Sequence, residues 1–112
     1  MTRIEAIIQP FRLEEVKEAL ARVGIEGMTV LDVFGQGRQH GHAAVYRGRE
    51  YDAHFVPRTK IEIVVHDSDR EAVIAAICAA ARTGHLGDGK IFVTPVAETI
   101  RIRNGQRNEA AL

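Results

Sequence analysis

At the start of the chain Ile4, Ala6 and Ile8 alternate with Arg3, Glu5 and Ile7. That period of two belongs to a strand with one buried face and a partly buried second face. Pro10 ends it. Leu13, Val16, Ala19, Leu20 and Val23 then recur at helical spacing, with Glu14 and Glu15 in the first turn, Arg22 in the last, and Gly24 placed to cap the C-terminus. A second strand is expected from Met28 to about Phe34, and a third over Lys60-Ile61-Glu62-Ile63-Val64-Val65. Ser68 and Glu71 have capping-box spacing before a second helix, which carries Val73, Ala76, Ile77 and Ala80 on one face and stops near Thr83-Gly84. Lys90 to Val96 reads as the fourth strand.

The two strand-helix starts lie about 57 residues apart, Ile4 against Ile61 and Arg12 against Asp69, so one strand-helix-strand unit is used twice. Two such units predict an α+β, ferredoxin-like βαββαβ sandwich: a four-stranded antiparallel sheet with both helices on one face. Strands such as 61–65 read as apolar on both sides, so the second sheet face needs a cover. A self-associating oligomer is the simplest one.

Length and composition narrow the function. The 112 residues fit one domain, and a folded chain of 12.4 kDa exposes roughly 6,000 Å², too little to build a deep cleft inside one copy. Fifteen Lys and Arg balance fifteen Asp and Glu. That neutrality argues against a protein held on nucleic acid by phosphate neutralisation and against a polybasic membrane anchor. No apolar run approaches the ~20 residues of a membrane span, and Met-Thr-Arg-Ile-Glu-Ala-Ile-Ile lacks a signal-peptide pattern. The single cysteine, Cys78, has no internal disulfide partner and lies among alanines, which suits a small core residue in a reducing cytoplasm. The neutrality is also segregated. Residues 35–60 carry Arg38, Arg47, Arg49, Arg58 and Lys60 against Glu50 and Asp52, whereas 14–27 carry Glu14, Glu15, Glu18 and Glu26 against Lys17 and Arg22. Small polyanions are therefore not excluded as ligands.

Three segments stand outside the sandwich pattern. From Gly35 to Pro57 runs a connection of about twenty residues with Gly35, Gly37, Gly41 and Gly48, where hairpin loops usually take 2–5. It is either a floppy insertion or a functional loop. Tyr46, Tyr51 and Phe55 favour contact with a partner or a modification site. His40, His42, His54 and Asp52 match no structural zinc spacing and read as incidental. In Thr83-Gly84-His85-Leu86-Gly87-Asp88-Gly89-Lys90, Gly84 to Lys90 satisfies G-x-x-x-x-G-K, but Ile91 replaces the Ser or Thr of a P-loop and the order is helix to strand. The segment is either a helix-capping turn or a nest of backbone amides for an anion, with Lys90 as a point charge. In Ile100-Arg101-Ile102-Arg103 an extended backbone would set both guanidiniums on one face, a solvated edge or, with nearby Lys90, a polyphosphate site.

These segments together carry a resemblance. Tyr46-Arg47-Gly48-Arg49-Glu50-Tyr51 and Thr83-Gly84-His85-Leu86-Gly87-Asp88-Gly89-Lys90-Ile91-Phe92-Val93 resemble the two signatures of the PII nitrogen-regulatory signal-transduction family. Gly35-Gln36-Gly37-Arg38-Gln39 and Arg101-Ile102-Arg103 match as well, and the likeness runs over nearly all of the chain. It implies one PII-like domain over residues 1–112, with a projecting regulatory loop at about 36–56, a glycine-rich loop at 82–90 and a C-terminal segment at 99–112. It implies a homotrimer whose inter-subunit clefts bind ATP or ADP with Mg2+ and 2-oxoglutarate. By position, Gly37, Arg38, Gln39, Gly87, Asp88, Gly89 and Lys90 would hold the phosphates and metal from one subunit, with Gly35 also among the nucleotide-binding residues. Arg101 and Arg103 would reach in from the next, and Thr29 and Val64 would lie along adenine and ribose. Gln39 is the implied magnesium ligand, and Gln39, Gly41, Arg58 and Gly87 the implied 2-oxoglutarate contacts.

The resemblance further implies a cytoplasmic, non-catalytic adaptor whose loop docks on an ammonium transporter, a nucleotidyltransferase or a sensor kinase. Tyr51 resembles the tyrosine that is uridylylated, or adenylylated in some lineages. Arg49 sits where another branch carries a phosphorylated serine. Arg58 stands where the family usually has lysine, and Gln9, Gln36 and His40 also depart from its pattern. Two other readings stay open: a slow nucleotide hydrolase with Asp88 or Glu62 as base, and a PII-like variant sensing other adenylates or bicarbonate for a carbon-metabolism partner.

Overall fold

The computed structural model describes residues 1–36 and 55–112 in full and 44–46 and 49–51 as backbone. Strand β1, Thr2–Ile8, alternates buried and half-buried positions along its whole length, with Thr2, Ile4, Ala6 and Ile8 inward. Pro10 turns the chain into a short 3-10 turn, Pro10–Arg12, that leads directly into α1, Leu13–Arg22. Val16, Ala19 and Leu20 of α1 are buried. Val23, expected on the same face, is 40% exposed. The helix closes there: Gly24 (φ +85°) donates to the Ala21 carbonyl at 3.0 Å and Ile25 to the Leu20 carbonyl at 2.9 Å. This paired closure with a left-handed glycine swings Val23 off the apolar stripe and hands its place to Ile25, which packs on the core.

Strand β2 is Thr29–Gly35. The long connection that follows contains a short antiparallel ribbon, β3 (Ala44–Tyr46) with β4 (Arg49–Tyr51), where the sequence pattern showed only loop. Strand β5 spans Val56–Val65, four residues longer at its start than the apolar run suggested. The helix after it, α2, is Arg70–Ala81, with Val73, Ile77 and Ala81 buried. The expected capping box does not form. A 3-10 turn, Asp67–Asp69, closed by the Asp69 amide on the His66 carbonyl at 2.9 Å, leads into the helix instead, and no side chain caps it. Asp67 is drawn the other way, taking the Thr2 hydroxyl at 2.6 Å and the N-terminal ammonium at 3.1 Å. Strand β6 is Lys90–Pro95.

The four long strands form one antiparallel sheet in the order β2-β5-β1-β6, the topology the repeated unit predicts. The inward residues Ile4, Ala6, Ile8, Ile61, Ile63 and Val65 pack with Val16, Leu20, Val73 and Ile77, so both helices cover the same face. The other face is less apolar than expected. Its middle holds Glu5, with Arg3 at 3.5 Å and Lys60 at 3.4 Å, while Leu31 and Phe92 are exposed at its two edges. Among the described residues no helix is long and apolar enough to cross a membrane.

Leu20→Ala should destabilise the chain by about 2–5 kcal/mol, because a fully buried side chain leaves a cavity. Val23→Ala should cost no more than about 0.5 kcal/mol. Urea denaturation of both variants checks the pair.

Candidate functional site

The glycine-rich loop between α2 and β6 is held at three points. Asp88 reaches back to the end of α2, where its carboxylate accepts hydrogen bonds from the Thr83 amide (2.9 Å), the Gly84 amide (2.9 Å) and the Thr83 hydroxyl. Gln9, just past β1, donates from Nε2 to the Gly87 carbonyl at 2.8 Å. Gly89 (φ +97°) runs so close to β1 that a Cβ there would lie 1.6 Å from the Ile7 carbonyl oxygen. Only glycine fits that backbone and that approach. The Thr83 hydroxyl, chief among several donors, holds the Asp88 carboxyl below the ordinary carboxylate range, against the opposing push of burial.

The two readings of this loop therefore divide by group. Asp88 serves the capping turn with its side chain, which leaves backbone amides and Lys90, rather than the carboxylate, to meet an anion. The sequence signal for this was present but unread: Thr83 and Asp88 stand five residues apart across two glycines.

The sheet register sorts the other candidates by end. Ile7 pairs with Lys60 on one side and Lys90 on the other, and Gly35 pairs with Val56. Gly35, Arg58, the glycine-rich loop and Lys90 thus gather at the end of the sheet where β1 finishes. A Cβ on Gly35 would sit 3.6 Å from Cγ of Arg58, and the Arg58 guanidinium donates to the Pro57 carbonyl at 2.8 Å. Partial burial lowers the Arg58 pKa, yet a guanidinium stays charged in proteins. Thr29 and Val64 are brought together elsewhere: with Gly27, Met28, Glu62 and Ile63 they line a cavity of about 260 Å³. Glu62 enters this lining although the sequence offered it only as a base. Thr29 and Lys90 stand on opposite edge strands, three strand spacings or about 14 Å apart.

The C-terminal segment overturns one expectation. Residues 102–104 form a turn rather than an extended stretch, closed by the Gly105 amide on the Arg101 carbonyl at 2.8 Å. Arg101 spends its guanidinium within the segment, on Oε1 of Gln106 at 2.7 Å and the Leu112 carbonyl at 3.2 Å. Arg103 stands exposed in the turn. Both follow the far end of β6, where Pro95 pairs with Thr2, so neither lies near Lys90 of the same chain. Six-residue β6 carries the chain about 17 Å from Lys90 to Pro95, at about 3.3 Å per residue, before that segment begins.

Gly37, Arg38, Gln39, His40, Gly41, His42, Asp52 and His54 lie outside the described residues, and Tyr51 is described only as backbone in β4. Among the described residues no three His, Cys, Asp or Glu side chains come together to hold a metal.

Fold and site together define a small ferredoxin-like sandwich whose candidate anion-binding groups are divided between the two ends of one sheet, with a long connection rooted at one of them. The sequence profile of nitrogen regulatory protein P-II matches residues 1–106. The chain is 57% identical over 112 residues to nitrogen regulatory protein P-II of Azospirillum brasilense, covering all of both chains. It is 54% identical to nitrogen regulatory protein P-II 1 of Escherichia coli (strain K12), again over 112 residues and all of both chains. A crystal structure of Arabidopsis thaliana PII bound to citrate superposes with a TM-score of 0.82 at 43% identity, covering 99% of this chain and 91% of that one. This chain belongs to the nitrogen regulatory protein P-II family.

Two measurements test the loop. The folded state favours ionised Asp88, so its contribution is complete above the ordinary carboxylate pKa and is lost as pH falls through the lowered folded value. Amide exchange at Thr83 and Gly84 should stay slow from neutrality into that range and quicken below it, while Asp88→Asn should show fast exchange already at neutral pH. Gly89→Ala should displace the loop from β1, read as large amide shift changes at Ile7 and Lys90.

Proposed function

We propose that this chain is a cytoplasmic, non-catalytic signal transducer that binds ATP or ADP, with Mg2+ and 2-oxoglutarate, in clefts between the subunits of a homotrimer. Its relatives are named as regulatory proteins, in line with a binding rather than a catalytic role. The observation that carries the reading is the division of the site. Lys90 and the glycine-rich loop stand at one end of the sheet, and Arg103, with the Thr29 and Val64 cavity, toward the other. One copy cannot close both on a single nucleotide. Head-to-tail association of copies does, and a closed ring is the arrangement that leaves no half-site over.

In that cleft the loop amides and Lys90 would take the phosphates of one nucleotide, with Arg38 beside them. Arg103 of the next copy would approach from the other side, joined by Arg101 once it releases Gln106. The adenine and ribose would lie along Thr29 and Val64. Gln39 would hold Mg2+, which neutralises phosphate charge and offers open positions to a dicarboxylate. Arg58, with Gly41 and Gly87 beside it, would pair with the far carboxylate of 2-oxoglutarate in the fork geometry a guanidinium favours. The Arabidopsis relative's citrate is itself a polycarboxylate, which supports an anion of this class.

Gly35 and Arg58 stand on the two strands that carry the loop of about 36–56, so ligand binding there biases loop conformation by its differential affinity for the loop's states. That loop would dock on an ammonium transporter, a nucleotidyltransferase or a sensor kinase. Attachment of a nucleotide to Tyr51 would add charge and bulk at the contact.

Calorimetry should show ATP binding that is lost in Lys90→Ala and in Arg103→Ala, and 2-oxoglutarate binding that requires MgATP. Unchanged affinity in both variants would mean the cleft is wrongly placed. No 2-oxoglutarate binding at any concentration would favour a sensor of other adenylates or bicarbonate, and phosphate release at tens per second would make the protein a hydrolase.

A further inference from the structure

We propose that Gln9 is the positioning residue of the glycine-rich loop, setting the direction of the backbone donors that meet the phosphates. This rests on the nucleotide-binding reading above.

The loop's near half and far half are held by different means. Asp88 fixes Thr83 and Gly84 at the end of α2. Those bonds end at Gly84, and Leu86, beside Gly87, is 78% exposed. Gly87 has φ +96°, in a region that glycine enters freely and also leaves freely. Among the described residues it is restrained by the bond from Gln9 Nε2 to its carbonyl oxygen, at 2.8 Å across 78 positions of sequence.

Gln9 is well suited to that task. It precedes Pro10, whose ring confines the preceding residue to extended backbone, and Gln9 sits there at φ −63° and ψ 135°. The direction of its Cβ is therefore fixed by its neighbour. Two residues earlier on the same face, Ile7 receives Gly89. The loop is thus fastened to β1 twice, at Gly87 by a side chain and at Gly89 by backbone contact.

A trans peptide is planar, so its carbonyl and the following N–H point in opposite directions. Holding the Gly87 carbonyl on Gln9 turns the Asp88 amide away from Gln9 and fixes its direction. Gln9 follows directly on the last pair of β1 and β5, Ile8 with Thr59, and Arg58 is the β5 residue next to that pair. The residue that aims the loop therefore stands between the loop and the guanidinium on β5.

Four chains test this: wild type, Gln9→Leu, Gln9→Lys and Gln9→Glu. MgATP affinity is measured by calorimetry, and amide exchange at residues 87–89 is followed in the ligand-free protein. Gln9→Leu should weaken MgATP about five- to tenfold, the worth of one lost hydrogen bond, and speed exchange at those residues with little change in melting temperature. Gln9→Lys, which keeps an N–H donor of similar reach, should restore affinity to within about twofold of wild type. Gln9→Glu matches the shape but presents only acceptors to a carbonyl. It should bind weakly at neutral pH and recover, relative to wild type at the same pH, as the carboxyl takes up a proton and gains a donor. Wild-type affinity and exchange in Gln9→Leu would overturn the proposal. So would a Gln9→Lys that fails to rescue while melting as wild type. If the wild-type chain itself does not bind MgATP, the nucleotide reading fails, and the exchange measurements alone still decide whether Gln9 holds the loop.

Discussion

The approach of the Gly89 backbone to the Ile7 carbonyl is the contact on which the rest of the site depends. A side chain at residue 89 would overlap the peptide of β1, so the loop leaving α2 can join β6 at this register only through glycine. Once it does, Ile7 faces Lys90 on one side and Lys60 on the other. The end of β1 thereby becomes the place where two elements nearly a whole chain apart meet, with Gln9 at its tip. Every charged group at that end takes its position from strand pairing that the helix-side core secures. Ile4, Ile8 and Ile61 are buried almost completely, and a slip of one residue would turn them outward and carry Lys60 and Glu62 into the core.

The open face of the sheet shows how zero net charge is compatible with an anion site. Glu5 is flanked by Arg3 at 3.5 Å and Lys60 at 3.4 Å in the middle of that face, so its charge is met by cations of the sheet itself. Such half-exposed ion pairs contribute little stability. Their effect is positional: they hold the Glu5 carboxylate near the centre of that face. The acidic first turn of α1 lies across the sheet, on the helix side.

Most of the architecture was legible from periodicity, because alternation at Ile4, Ala6 and Ile8 and helical spacing at Val16 and Leu20 report burial directly. What periodicity missed was decided by contacts between distant residues. Ser68 and Glu71 have the right spacing for a capping box, yet Asp67 is drawn to Thr2 and the chain start, and a 3-10 turn takes the place of the cap. Ile100 to Arg103 alternates like a strand, but Gly105 allows a turn and Gln106 captures Arg101. The ribbon of β3 and β4 has only three residues on each side, too short for a pattern to show. At the candidate site, the motif of residues 83–90 was plain in the sequence, and so was the resemblance it carried. The division of labour inside it was not, since Asp88 is spent on Thr83 and Gly84 and the loop's far half is held by Gln9, for which no local pattern exists.

The same geometry explains why a signal at this end would reach the loop of about 36–56 without a relay. Gly35 and Val56 face each other as the last pair of β2 and β5, and the loop leaves from one and returns to the other. Arg58 stands two pairs inward, opposite Val33. A ligand drawing Arg58 toward the glycine-rich loop would pull on β5 within two residues of the loop's root. Strand pairing transmits that pull to β2, because the two backbones are hydrogen-bonded as far as Gly35. A charge placed deeper in the sheet would meet paired backbone on both sides and move nothing. At its last pair, the same force would act where the long connection joins the sheet, and a ligand there would bias that connection by its differential affinity. The length of the connection and the position of the cations are thus two parts of one arrangement: strand pairing seats Arg58, and the same two strands carry the connection from Gly35 to Val56.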